Sequence, residues 1–318
     1  MLDIFYIVFP IFALIGIGYG LISSGLIPQE TGTALSKFVF TVPLPLTMFR
    51  SLATSNLTEQ APWSLWAAFF ICVFAAFGLG MLLTRFLFGR EGSVLAVAGI
   101  SSGFSNLVLL GIPVISAVMG EDALVPLVML LTIHLPIMTL LSSTMVEVYG
   151  REPGQSLDFL AILKKVGIGL VRNPIIIGIV AGGIWGVTGL PIPQLAGVVI
   201  DRIVPVTVPL ALMSMGIGMR EYGLRGDVLN GLVLGLVKTV AFPALFYVIT
   251  ATILPLPKEW TAAILLGAAS PTGVNAYILA SHFGVGHRLS ANAISLSVLL
   301  SIVTLPFWIS VAHSIIAQ

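Results

Sequence analysis

The chain has 318 residues, of which 58% are hydrophobic and only 8% charged, with a net charge of +1; its mean hydropathy is +1.10. An ordinary soluble domain carries roughly a quarter charged residues, and a soluble fold of this length cannot hide so much apolar surface. The composition therefore excludes a soluble enzyme, a basic nucleic-acid binder and a disordered chain. The apolar residues come in long runs and not in ~10-residue alternating segments, which argues against a membrane β-barrel and leaves an all-α polytopic membrane protein. The single cysteine, Cys72, allows no intrachain disulfide and no thiol metal site, and no cofactor is expected. Asp3 replaces the positive start of a signal peptide, so the first apolar run reads as a span.

Apolar runs between polar punctuation predict ten spans, at roughly 4–23, 33–54, 64–88, 93–119, 123–147, 167–187, 196–219, 228–254, 260–283 and 290–316. The longest polar connection is 148–166. Loops on one side hold Arg85, Arg90, Arg151, Lys164, Lys165, Arg172, Arg220, Arg225 and Arg288. The other side has Lys258, with Arg50 and Arg202 near span ends. The basic side is expected to be cytoplasmic, which leaves both termini outside.

The two halves, 1–150 and 151–318, resemble each other. Phe9-Pro10-Ile11 through Ser24-Gly25-Leu26 matches Asn173-Pro174-Ile175 through Thr188-Gly189-Leu190. Val42-Pro43-Leu44 matches Val208-Pro209-Leu210, Asn106 falls on Asn275, and Leu135-Pro136 falls on Leu305-Pro306. Each half holds five spans, an odd number, so the second copy enters the membrane from the opposite side. That is an inverted repeat, a ground plan of secondary transporters.

Spans four and nine are interrupted. Gly99, Gly103, Gly111 and Pro113 surround Ser101, Ser102, Ser105 and Asn106; Gly267, Ser270, Pro271, Thr272, Gly273 and Asn275 cluster in the other. Proline removes a backbone donor and glycine permits unwinding. Irregular backbone at membrane depth is tolerated only where protein or a wet cavity covers it. Paired interruptions in inverted halves point to a midplane substrate site. Asn106 and Asn275 suit the N-caps of the second half-helices, where free N–H groups attract anions. Ser102, Ser105 and Thr272 add hydroxyls. Gly103, Gly111, Pro113, Pro271 and Gly273 form the hinge set. A pair of packing kinks with capping asparagines and no ligand is the plainer alternative.

The motifs GLIP, FTVPLPLTMF, FSNLVLLGIPV and SPTGVNAYILA, spread over nearly the whole chain, resemble those of the auxin efflux carrier family, which includes bacterial malonate carriers and plant PIN proteins. That family is similar in fold to bile-acid/sodium symporters. The resemblance implies that spans four and nine cross at the centre with Asn106 and Asn275 at the crossover. It also implies that spans 1, 2, 6 and 7 form one bundle and spans 3–5 and 8–10 a core. Related folds form homodimers.

Lys238 lies about 15 Å into span eight at 1.5 Å per residue, where a cation is expensive and by default functional. It joins the candidate binding set as an anion neutraliser, with a fixed tether between helices or a snorkelling lysine as alternatives. His134 precedes Pro136 and either bonds a carbonyl that the proline frees or couples protons. Arg50 reads as snorkelling and Asp201 as interfacial. Trp63, Trp66, Trp260 and Trp308 read as interfacial belts. No acid lies deep in a span, so sodium coupling is disfavoured.

The expected function is a secondary or facilitative carrier of small organic anions (malonate- or auxin-like carboxylates) by alternating access, in a bacterial inner membrane. The alternatives are a sodium-coupled carrier like the bile-acid symporters, and a passive channel or sensor. An intramembrane enzyme lacks its nucleophile–base pair or metal cluster.

Overall fold

The computed structural model describes residues 2–54, 63–150, 159–222, 224 and 226–317; Arg151 and Arg225, counted above among the cytoplasmic charges, lie outside the described residues. Within these the chain is helical. The first half runs α1 (Leu2–Ser23), α2 (Gln29–Thr41), α3 (Pro43–Ala53), α4 (Trp63–Phe88), α5 (Ser93–Gly103), α6 (Ile112–Met119) and α7 (Val125–Gly150). The second runs α8 (Phe159–Val171), α9 (Pro174–Thr188), α10 (Gln194–Ile203), α11 (Thr207–Tyr222), α12 (Val228–Leu236), α13 (Phe242–Thr252), α14 (Lys258–Ala269), α15 (Asn275–Phe283) and α16 (His287–Ala317).

Six stretches among the described residues are long and apolar enough to cross a membrane: Ile4–Ser23, Trp63–Phe88, Glu121–Gly150, Gln194–Arg220, Val228–Thr252 and His287–Ala317. The pair α8–α9 makes a seventh if its 64° bend lies within one span. The remaining apolar segments are shorter pieces separated by breaks. The chain is thus an all-helical, multi-pass membrane protein.

The breaks follow from proline chemistry. Val42 leaves helical geometry (φ −119°, ψ −72°) ahead of Pro43, so α2 and α3 are separate pieces. A short 3-10 turn, Val204–Val206, containing Pro205, divides α10 from α11. Two π-turns, Leu107–Gly111 and Val237–Ala241, precede Pro113 and Pro243. Proline at i cannot bond the carbonyl at i−4; the chain widens to i→i+5 bonds, Ile112 N–H to Leu107 O and Phe242 N–H to Val237 O. The carbonyl that Pro243 would have capped, Thr239 O, accepts the Trp308 indole N–H at 2.9 Å. Trp308 is therefore a buried partner of a broken helix and not a member of an interfacial belt.

Three further expectations change. The stretch 148–166 is not all connection, because α8 begins at Phe159 and carries Lys164 and Lys165. Span six is bent because Asn173 caps α9, its Oδ1 accepting Ile175 N–H at 2.9 Å, with Pro174 at the first turn. Arg50 and Asp201, read singly as surface charges, form an ion pair between α3 and α10.

Packing uses small residues. On α9, Gly178, Gly182 and Gly186 face the α3 backbone; a Cβ on Gly182 would lie 2.5 Å from Phe49 O. On the other side, Gly18 of α1 faces Met213 of α11, and Gly216 of α11 faces Ile15 of α1. Such contacts let helix backbones approach where lipid supplies no hydrophobic drive.

Candidate functional site

α5 ends at Gly103, and Phe104 continues as extended chain (φ −89°, ψ 104°). α14 ends at Ala269, and Ser270 is extended (φ −61°, ψ 144°), as a residue before proline prefers. The two breaks meet antiparallel at Ser105 and Thr272. Asn106 N–H donates to Pro271 O and Gly273 N–H to Phe104 O, both at 2.8 Å. Each break thus satisfies backbone groups that the other exposes. Gly273 suits the close approach, because a Cβ there would lie 3.0 Å from the Phe104 ring and 3.2 Å from Ser105 O, so that the neighbours would have to give by a few tenths of an ångström.

Side chains complete the junction. Thr272 Oγ1 donates to Ser101 O at 2.7 Å, capping the end of α5, and Thr272 N–H donates to Ser297 Oγ of α16 at 3.0 Å. Asn106 caps the π-turn, its Oδ1 accepting Leu109 N–H at 3.2 Å. Its Nδ2 reaches only Met215 Sδ of α11, at 3.8 Å. Asn275 differs from the expected N-cap: Val274 holds that position, and Asn275 is the first helical residue with no side-chain cap bond. The chain turns one residue earlier than the Asn106 analogy implies.

A cavity of about 200 Å³ opens beside the junction, with Ser105, Asn106, His134, Asn173, Gly273 and Asn275 in its wall. Three residues, Phe40, Asn173 and Ile175, come from α2 and the start of α9; the rest come from the broken segments, α7 and α15. Ser105 Oγ and both His134 ring nitrogens are buried and have no hydrogen-bond partner among the described residues. His134 therefore does not bond a carbonyl freed by Pro136. Its ring packs against Phe69 (5.5 Å between centroids), Phe70 (6.1 Å) and Phe104 (5.2 Å). Asn173 was legible only as a repeat marker; its Asn-Pro pair is the signal of a helix start.

The structure does not bring every candidate to the cavity. Ser102, Thr272, Lys238 and Pro271 are absent from its wall. Ser102 Oγ bonds back to Ala98 O at 2.7 Å within its own helix. Lys238, on the second π-turn, is fully buried. Its Nζ donates to Ala268 O at 2.6 Å and sits 4.3 Å from the Phe242 ring centre. Ala268 O belongs to the last turn of α14, where orphan carbonyls concentrate negative partial charge. Lys238 is thus placed as a cation on the end of one half-helix. Gly103, Gly111 and Pro113 flank the break and its π-turn. A second cavity of about 260 Å³, with Thr47, Arg50, Thr54, Glu121 and Asp122 in its wall, lies at the other end of α3.

A family model described as membrane transport protein matches residues 3–309. The chain is 24% identical over 310 residues to an uncharacterized transporter of Methanothermobacter thermautotrophicus, covering 95% of this chain and 96% of that protein. It is 22% identical over 307 residues to a Rhizobium meliloti protein named "Putative malonate transporter", covering 96% and 94%. It is also 22% identical over 309 residues to an uncharacterized transporter of Methanocaldococcus jannaschii, covering 95% and 96%.

Proposed function

The chain belongs to the membrane transport protein family, the group to which its auxin-efflux-carrier motifs pointed, and from that premise we propose that it carries small dicarboxylates such as malonate by alternating access. The observation that carries this reading is the antiparallel junction of two broken helices beside a small polar cavity. Asn106, Asn275 and Ser105 supply donors there, and the N-terminus of α15 adds partial positive charge. A cavity of about 200 Å³ suits a small acid. Malonate is the named substrate of the Rhizobium meliloti relative, at low identity.

The proposed architecture is ten spans in two inverted repeats, 1–150 and 151–318. Packing supports it: α1 lies on α11 as α9 lies on α3, and α5 lies between α4 and α7 as α14 lies between α13 and α16. Pro136 and Pro306 fall inside matching helices, α7 and α16. The moving parts are spans 1, 2, 6 and 7 against spans 3–5 and 8–10, and the cavity wall draws on both groups. With the basic loops cytoplasmic and both termini outside a bacterial inner membrane, the cavity faces the cytoplasm, because its wall extends along α15 and to Asn173 beside Arg172.

The test is counterflow. Proteoliposomes loaded with unlabelled malonate take up labelled malonate faster than empty ones if the protein is a carrier. Flux that internal malonate does not accelerate marks a channel. An absence of flux with malonate and other small carboxylates overturns the anion reading.

A further inference from the structure

Building on the anion reading, we propose that His134 takes up one proton when a dicarboxylate enters the cavity, so that the carrier moves anion and proton together. The observation is a fully buried imidazole in the cavity wall with neither nitrogen hydrogen-bonded among the described residues. A buried polar group without a partner is destabilising until a ligand or proton supplies one. The three phenyl rings around it, Phe69, Phe70 and Phe104, offer edges and faces but no oxygen or nitrogen acceptor. Ser105 Oγ, of the same cavity wall, also has no hydrogen-bond partner among the described residues.

A neutral imidazole donates through one nitrogen and accepts through the other. A carboxylate in the cavity is satisfied by donors only. Protonation at the accepting nitrogen turns both nitrogens into donors, and the nearby negative charge favours that form. The proton comes from water on the loading side and leaves to water with the anion on release; no bond other than N–H is made or broken. Lys238, from the π-turn that packs on α4, is the charged group whose field reaches His134, and no carboxylate faces it among the described residues. Cys72 on α4 is the other titratable group near Lys238 and carries no charge as a thiol. A protonated His134 in the wall offsets negative charge on a dicarboxylate, which a low-dielectric surrounding favours.

Calorimetry of the purified full chain with malonate, at about pH 7.5 in two buffers of different protonation enthalpy, counts the protons. Both malonate carboxylates are ionised there. The expected count is near one per malonate, with Kd rising up to tenfold per pH unit above neutrality. His134→Gln keeps a donor and an acceptor but cannot titrate; it is expected to bind with no proton uptake and a flat pH profile. Binding by the wild type without proton uptake overturns the histidine proposal alone, and needs no variant. So does uptake that persists in His134→Gln. A wild type that binds no malonate or other small dicarboxylate overturns the anion reading and takes the histidine with it.

Discussion

Replacing Asn106 separates capping from anion recognition, because its two amide atoms face different duties. Oδ1 accepts Leu109 N–H at 3.2 Å, while Nδ2 has only a thioether at 3.8 Å and is free to turn to a ligand. Asn106→Ala removes both. Losing an N-cap costs about 0.5–2 kcal/mol of stability. Losing one hydrogen bond to a charged acceptor costs about 1.5–3 kcal/mol of binding, or about 10- to 150-fold in Kd. Asn106→Asp keeps the cap acceptor and replaces the donor with a negative charge. Two like charges about 4 Å apart repel by about 4 kcal/mol at an effective dielectric of 20, close to a thousandfold in Kd. The backbone bond from Asn106 N–H to Pro271 O remains in both variants. Thermal unfolding in detergent, with and without malonate, reads both effects. At a hundredfold excess over Kd the ligand adds about 2.7 kcal/mol to the wild type, and that increment is expected to vanish for Asn106→Asp, while burying the new charge lowers its ligand-free stability by several kcal/mol. An Asn106→Asp protein that binds malonate within threefold of wild type would falsify the assignment of this amide to the anion.

Gly182→Ala places a methyl 2.5 Å from Phe49 O, so the α3–α9 contact must open; overpacking of this kind costs about 1–3 kcal/mol, and an unchanged unfolding midpoint would sink the packing argument. Trp308→Phe leaves Thr239 O without its donor at little change in volume, with an expected loss of about 1–3 kcal/mol; equal stability would mean the proline-freed carbonyl finds another partner. Lys238→Met forfeits a charge-assisted bond of about 1.5–3 kcal/mol but also a buried-charge penalty of several kcal/mol, so stability is expected to change by less than about 2 kcal/mol. Malonate affinity should fall more than that of a monocarboxylate in titrations of the same protein, and an equal fall for both would remove Lys238 from the charge balance.

The breaks after α5 and α14 were legible because their cause is local: Pro271, Gly273 and the Ser-Asn pair at 105–106 mark unwound chain wherever they fall. The Asn106 cap was legible for the same reason. The two π-turns were not, since Pro113 and Pro243 announce a lost hydrogen bond but not whether the helix kinks, stops or widens. That choice depends on what waits for the freed carbonyl, and for Thr239 O the answer sits 69 residues away on α16. Arg50 and Asp201 likewise read as unrelated surface charges until α3 and α10 are neighbours. The bend at Asn173 lay in plain view as Asn-Pro, but an unbroken apolar count outweighed it.

The placement of Lys238 changes what the site must do. A cation in the cavity wall would attract any anion that entered. On Ala268 O it instead holds the end of α14, and the proposed direct contacts fall to Asn106, Asn275, Ser105 and His134 in the cavity wall. Amides and hydroxyls bind a carboxylate weakly enough to release it, which a carrier needs at both faces of its cycle. A fixed charge set back from the cavity lowers the cost of bringing an anion into a dry core without gripping it. In the proposed coupling, the imidazole of His134, which has no hydrogen-bond partner among the described residues, decides how many negative charges the core accepts. The pH profile of Kd for mono- and dicarboxylates, compared in wild type and His134→Gln, therefore reads selectivity and coupling in one experiment: the histidine accounts for both only if the preference for two carboxylates and the pH slope disappear together.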